Sequence, residues 1–261
     1  MENHVTLRLS TAASKDGHPW CHRSEFSSEL PTVACVATVL DGAGDVVGSG
    51  LYDPNDPVVL WRRFSRVEGV DFDAAYLSSA IDEAFRRRSD EHCQRLISGD
   101  ADYLPGLEVE IFEGILTISS SHPVVDTMMD EIVQILREAC EPKEIVFFKD
   151  GSARTLSGQN LKARWIEIDD LAYRLDLLNA EKPRFFLDQR EQHALVGSLC
   201  EGRCVLDGFA HSGAFGLQAA RNGAEHVVAV DHSEACIKSI GATAQKNDCF
   251  IEGIQADVAA F

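Results

Sequence analysis

Val205-Leu206-Asp207-Gly208-Phe209-Ala210-His211-Ser212-Gly213-Ala214-Phe215-Gly216 decides the fold of this chain. The apolar run over residues 203–209 has the length of a buried strand. The glycines at 208 and 213 permit a tight turn, and helical spacing begins near Gly213. Downstream, residues 226–230 form a second strand that closes on Asp231, and residues 251–256 form a third that closes on Asp257. The pattern is β-α-β-α-β, which predicts a parallel sheet ordered third, second, first strand. An acid or a glycine turn stands at the carboxyl end of each strand, where open parallel sheets bind their ligands.

Working outward, residues 1–70 alternate short apolar runs with turn signals. Residues 32–40 and Val46-Val47 flank Asp41-Gly42-Ala43-Gly44-Asp45, a hairpin signature, and residues 58–62 add a strand. Gly48-Ser49-Gly50-Leu51-Tyr52-Asp53-Pro54 reads as a loop. From residue 73 to 97 the apolar positions recur at three and four residues, which predicts one helix. A hairpin over 108–112 and 115–119, a helix over 124–139, and strands over 145–148, 165–168 and 171–177 follow. The expected organisation is α+β and α/β: a β-rich domain at 1–70, a central α+β domain at 71–180, and the start of a Rossmann-like domain, three parallel strands, at 181–261.

The 261 residues are 45% hydrophobic and 25% charged, within the globular range. No apolar run approaches the roughly 20 residues of a spanning helix, and the amino terminus lacks a basic-then-apolar leader, so a cytoplasmic home is expected. Eight cysteines are scattered without a C-x-x-C pair or a zinc-spaced cluster, which predicts reduced thiols and no metal. The net charge of −18 argues against a broad nucleic-acid coat. Any RNA contact must be local, and Arg62, Arg63 and Arg66 form the candidate patch. Arg86, Arg87 and Arg88 form a second basic cluster that reads as a solvated helix face.

At the closing α/β segment, a nucleotide cofactor fits the spacing. The turn lets backbone amides approach it, Asp231 can accept both ribose hydroxyls, and Asp257 can meet an adenine amino group. The glycines give G-x-x-x-x-G-x-x-G, not the G-x-G-x-x-G of NAD-binding units, which counts against a nicotinamide oxidoreductase. A purely structural alternative stays open, in which the glycines shape the turn and Asp231 caps the helix starting at Ser233.

Several strings together carry a family resemblance: His18-Pro19-Trp20, the Gly48 to Pro54 loop, Arg95-Leu96-Ile97-Ser98-Gly99-Asp100-Ala101-Asp102-Tyr103-Leu104-Pro105-Gly106-Leu107, Phe185-Phe186-Leu187-Asp188-Gln189-Arg190, the 207–216 turn, Asn222-Gly223-Ala224, Asp231-His232-Ser233 and Ala256-Asp257-Val258. In this order they resemble the PUA-domain-containing, S-adenosylmethionine-dependent class I methyltransferases that act at cytosine C5 of 23S ribosomal RNA. The resemblance implies an RNA-binding PUA-like domain at 1–70 and S-adenosylmethionine held by Gln189, Arg190, Asp207, Phe209, Ser212, Gly213, Asp231, Ser233 and Asp257. It also implies ribosomal RNA as partner. Phe186 is expected in the core.

The chain departs from the family at Glu181-Lys182-Pro183-Arg184, where a glycine-rich lead is usual, and at His211-Ser212, where tyrosine-threonine is usual. The nucleophilic cysteine and the Asp-Pro-Pro segment of the cytosine-C5 reaction have no counterpart: the Asp-Pro pairs, Asp53-Pro54 and Asp56-Pro57, lie in the first domain. The expectation is therefore a C-terminally truncated enzyme with no catalytic residues of its own and no turnover alone. Its bare first strand would pair with a missing C-terminal half or in a homodimer. The alternative is a non-catalytic RNA-binding or interaction module with a structural Rossmann remnant.

Overall fold

In a computed structural model, which describes residues 4–11, 17–89, 91–178 and 185–261, the chain divides into two compact units, 1–150 and 151–261. The Glu181 to Arg184 departure lies outside the described residues.

The first unit begins with β1 (His4–Arg8), β2 (Trp20–His22), β3 (Cys35–Leu40), β4 (Val46–Tyr52) and β5 (Val59–Ser65), which form one sheet in the order β1-β3-β4-β5-β2. β1 runs parallel to β3 and the other pairings are antiparallel. The expected Gly48–Tyr52 loop is instead the buried second half of the central strand β4. Its glycines are room for neighbours. A Cβ on Gly50 would stand 2.4 Å from the Trp61 ring, and one on Gly48 would stand 2.1 Å from the Ser65 carbonyl oxygen. Trp61 lies over Gly50, fully buried, and its Nε1 donates to the Ala37 carbonyl at 2.9 Å.

The unit continues with α1 (Ala74–Arg86), β6 (Cys93–Ser98), β7 (Leu107–Phe112), β8 (Ile115–Ser120), α2 (Pro123–Thr127), α3 (Met129–Cys140) and β9 (Glu144–Lys149). Strands β6 to β9 lie side by side in the order β9-β8-β7-β6. Asp73 caps α1 by accepting the Tyr76 amide at 2.9 Å, and Leu77, Ile81 and Ala84 bury its inner face. The helix expected to reach residue 97 stops at Arg86. Arg88 folds back to donate to the Ala84 carbonyl and, through both terminal nitrogens, to the buried Asp102 carboxylate at 2.7 and 2.5 Å. β6 mimics helical spacing because a register shift between Arg95 and Ile97 breaks its alternation and buries Leu96 and Ile97 in succession.

The second unit holds β10 (Ser152–Thr155), β11 (Arg164–Ile168), β12 (Leu171–Leu175), α4 (Arg190–Ser198), β13 (Cys204–Gly208), α5 (Ala214–Arg221), β14 (His226–Asp231), α6 (Glu234–Lys246) and β15 (Glu252–Gln255). β13, β14 and β15 form the expected parallel sheet in the expected order. β11 and β12 form an antiparallel hairpin whose turn residues Asp169 and Asp170 both have positive φ. Asn247, just past α6, joins that hairpin to the helix. Its amide accepts the Ala172 N–H and donates to the Ala172 carbonyl, both at 2.8 Å, as a paired strand would. Among the described residues no helix is long and apolar enough to cross a membrane.

Candidate cofactor site

The site is built where β13 and β14 end. The turn after β13 is tied to the second strand by Ala210 N–H on the Val230 carbonyl at 3.0 Å and is closed on itself by Gly213 N–H on the Ala210 carbonyl at 2.6 Å. Phe209 and His211 are both held at positive φ, 59° and 51°. Two left-handed non-glycine residues in one turn mark a backbone whose shape the surroundings impose, a pattern that clusters at ligand sites. Gly213 (φ 72°) opens α5, and a Cβ there would meet Ile240 at 2.8 Å.

Asp231 ends β14. One carboxylate oxygen accepts the His211 amide at 3.0 Å and the other accepts the Ser233 amide at 2.9 Å. The acid is thus fixed between the two loops at the strand tips. Two carboxylate oxygens side by side match the two hydroxyls of a ribose. Ser233 also caps α6 by accepting the Cys236 amide at 3.4 Å, so the capping role read from the sequence belongs to Ser233. Asp257 is exposed past β15 and accepts the Ala259 amide. Phe209 presents an apolar ring that is 72% exposed. Two hydroxyl acceptors, a flat apolar face and an exposed carboxylate together fit a nucleoside.

Asp207 behaves differently from the other expected ligands. It turns inward, 8% exposed, and accepts the Gly216 amide of α5 at 2.9 Å. It supports the turn from beneath and does not line its open side. Burial, with the neighbouring Asp231 charge, raises its carboxyl to about 6 against the pull of the Gly216 amide.

The Phe185 to Arg190 string ties the hairpin to this turn. Phe185 is buried and stands in a run of ring contacts, Tyr173 to Phe185 to His193 to Phe215, with centroids 4.7, 5.4 and 4.4 Å apart. Phe186, expected in the core, is half-buried against the His211 ring at 5.1 Å, because the turn before α4 alternates inside and outside positions. Arg190 pairs with Asp169 of the hairpin turn through two nitrogens. Gln189 lies half-buried at the start of α4.

A cavity of about 550 Å³ opens from the same turn. Ser212 and Ser233 line it, together with His211, Tyr173, Cys236 and Lys238. Cys236 and Lys238 carry no local signal of this, because nothing in the sequence of α6 announces that β12 packs against it.

The three arginines of the expected RNA patch are not presented together. Arg63 is 8% exposed and donates to the carbonyls of Val47 and Gly17. Arg62 is paired with Asp56 and Asp100 at 3.2 and 3.3 Å, its guanidinium lying over the Trp20 ring. Only Arg66 is exposed. The reason is geometric: alternate residues of β5 face opposite sides of a sheet that is covered on both. Among the described residues no group of three metal-ligating side chains forms a metal site.

Residues 144–248 match the model of the S-adenosylmethionine-dependent methyltransferase family. The chain is 29% identical over 90% of its length to a ribosomal RNA large subunit methyltransferase of Deinococcus radiodurans, covering 64% of that protein. It is 26% identical over 92% of its length to the ribosomal RNA large subunit methyltransferase I of Photobacterium profundum, covering 66% of it. It thus spans about two thirds of these relatives' length. A Streptococcus mutans structure provisionally named a SAM-dependent methyltransferase shares its fold, with a TM-score of 0.84 at 19% identity over 98% of this chain and 72% of that one. A second methyltransferase structure, complexed with S-adenosylhomocysteine, gives a TM-score of 0.78 at 18% identity, over 99% of this chain and 71% of that one. These likenesses support the coarser reading, a methyltransferase of the S-adenosylmethionine-dependent kind, and with it S-adenosylmethionine as cofactor.

Proposed function

We propose that this chain is the cofactor-holding part of an S-adenosylmethionine-dependent methyltransferase of large-subunit ribosomal RNA. The observation that carries the proposal is Asp231, whose two oxygens are each fixed by a loop amide at the tips of adjacent parallel strands. In this reading Asp231 accepts the ribose hydroxyls, Phe209 covers one face of the adenine, and Asp257 accepts its amino group. Ser212 and Ser233 border the cavity beside them, and Gln189 and Arg190 act through the hairpin turn. When bound, the cofactor supplies an electrophilic methyl group on sulfur. The residues of this chain hold and orient it, and the buried ring contacts beneath keep the turn rigid.

The finer reading is transfer to cytosine C5 of 23S ribosomal RNA in the cytoplasm, with residues 1–70 as a PUA-like RNA-binding domain, 71–180 as a central domain and 181–261 as the start of the methyltransferase domain. Its support is the resemblance of the quoted strings. The sequence holds no Asp-Pro-Pro segment, so on this reading the 261 residues bind cofactor without turning it over.

A calorimetric titration with S-adenosylhomocysteine, which needs no catalysis to bind, tests the proposal. Micromolar affinity, about −8 kcal/mol, that weakens at least tenfold in Asp231→Asn supports it. A folded chain that binds none refutes it.

A further inference from the structure

The strings His18-Pro19-Trp20 and Arg95 to Leu107 lie in the first unit and take no part in the cofactor site. They converge on Arg62. The guanidinium lies over the Trp20 ring, 4.9 Å from its centre, and its edges are held by Asp56 and by Asp100. Beside it opens a cavity of about 230 Å³ lined by Arg62, Ser98, Asp100, Glu108 and Ser121, with Gly99 and Gly106 in its wall. The glycines matter at one point: Gly106 has φ 80°, and a Cβ there would stand 2.6 Å from that of His122.

Three buried polar atoms near Arg62 have no hydrogen-bond partner, Asp100 Oδ1, Trp20 Nε1 and His122 Nε2, and of these residues Asp100 lines the cavity. The other oxygen of Asp100 holds Arg62. His122 Nδ1 accepts the Val124 amide at 3.2 Å, so the proton of the neutral ring sits on Nε2 and that nitrogen is a donor. A buried polar atom left unsatisfied within the chain takes its partner from ordered water or from a ligand. The cavity itself carries two carboxylates against one guanidinium, which disfavours a phosphate and favours a neutral ligand that donates hydrogen bonds. Its volume is below the roughly 300 Å³ at which pockets for whole small molecules begin, a size for one ring system. Arg62 and Asp100 side chains are 23% and 26% exposed, so the cavity is open to solvent.

We propose that this cavity is a nucleobase pocket that takes one base bearing an exocyclic amino group from a single strand of RNA, the amino group donating to Asp100 Oδ1 and the ring lying against Arg62. Carboxylates accept from base amino groups, and guanidinium planes stack on unpaired bases. That the strand is RNA rests on the function proposed above; the polarity and size of the cavity do not.

The test is fluorescence anisotropy of the whole chain with labelled hexaribonucleotides of C, A and U. Oligo(C) and oligo(A) should bind at least tenfold tighter than oligo(U). Asp100→Asn replaces an acceptor by an amide of the same shape and should cut that preference at least tenfold. Ser121→Leu fills the cavity from an exposed position, leaving the Arg62 pairs intact, and should abolish the preference. Equal binding of oligo(U) and oligo(C) overturns the proposal, as does no binding, or a preference that survives Ser121→Leu; ordered water would then satisfy Asp100. Titration of the same samples with S-adenosylhomocysteine separates this outcome from failure of the cofactor reading, because none of these substitutions touches residues 151–261.

Discussion

Asp207 sets a pH dependence that can be isolated from every other group in the chain. Its carboxyl sits under α5, 8% exposed, and burial raises it from 3.8 to about 6. Between these two values the folded state binds more protons than the unfolded state, so stability falls as pH rises. The stabilising effect of protonation is complete below pH ~4 and is lost as pH rises through ~6. A carboxyl displaced this far changes stability by about 3 kcal/mol over the full range, about half of it between pH 5 and 8. Asp207→Asn removes the charge while its side-chain oxygen still accepts the Gly216 amide. Urea titrations of both chains at pH 5 and pH 8 give a double difference in which the titrations of groups not coupled to Asp207 cancel. The variant should gain on the wild type by roughly 1.5 kcal/mol between the two values and be the more stable chain at pH 8. Equal pH dependence in the two chains would show that this carboxyl is not desolvated, and the account of the turn would fall with it.

The mirror case is His122, which burial lowers to about 4. Its proton NMR midpoint should lie near there, and the stability it contributes, about 3 kcal/mol, should be present above pH ~6.5 and lost as pH falls through ~4. Gly50→Ala drives a methyl group into the Trp61 ring and the Arg62 carbonyl; a loss toward the upper end of about 1–3 kcal/mol with a changed near-UV spectrum is expected, and a neutral result would refute the close approach. Asn247→Ala strands the Ala172 amide and carbonyl, which should cost about 2–3 kcal/mol and raise exchange of the Ala172 N–H; unchanged exchange would mean that the hairpin does not lean on α6.

The parallel sheet is readable because its first two strands are short apolar runs and all three lead into an acid or a glycine turn, so length and punctuation agree. Reading failed where a local signal has two physical causes. Glycines at 48 and 50 signal a turn as readily as room for a neighbouring strand, and only residues of β5, the Ser65 carbonyl for Gly48 and the Trp61 ring for Gly50, decide between them. Leu96 and Ile97 fit a helix as well as a bulged strand. In the site, Asp231 and Ser233 could be read from their place at a strand tip. The inward turn of Asp207 depends on α5 packing over it. The burial of Arg63 depends on carbonyls of β4 and of Gly17, which no spacing along β5 encodes.

β13 is an edge of its sheet among the described residues, and its sequence, Cys204-Val205-Leu206-Asp207-Gly208, has neither the lysine nor the proline that commonly guards an edge. Leu206 is 57% exposed on it. The charge of −18 opposes the approach of two copies, a long-range repulsion that salt screens. The colloidal behaviour of this protein therefore has a direction. Salt at physiological strength or above shortens the repulsion to about 8 Å or less, so any association through this edge should strengthen with salt, which light scattering would read.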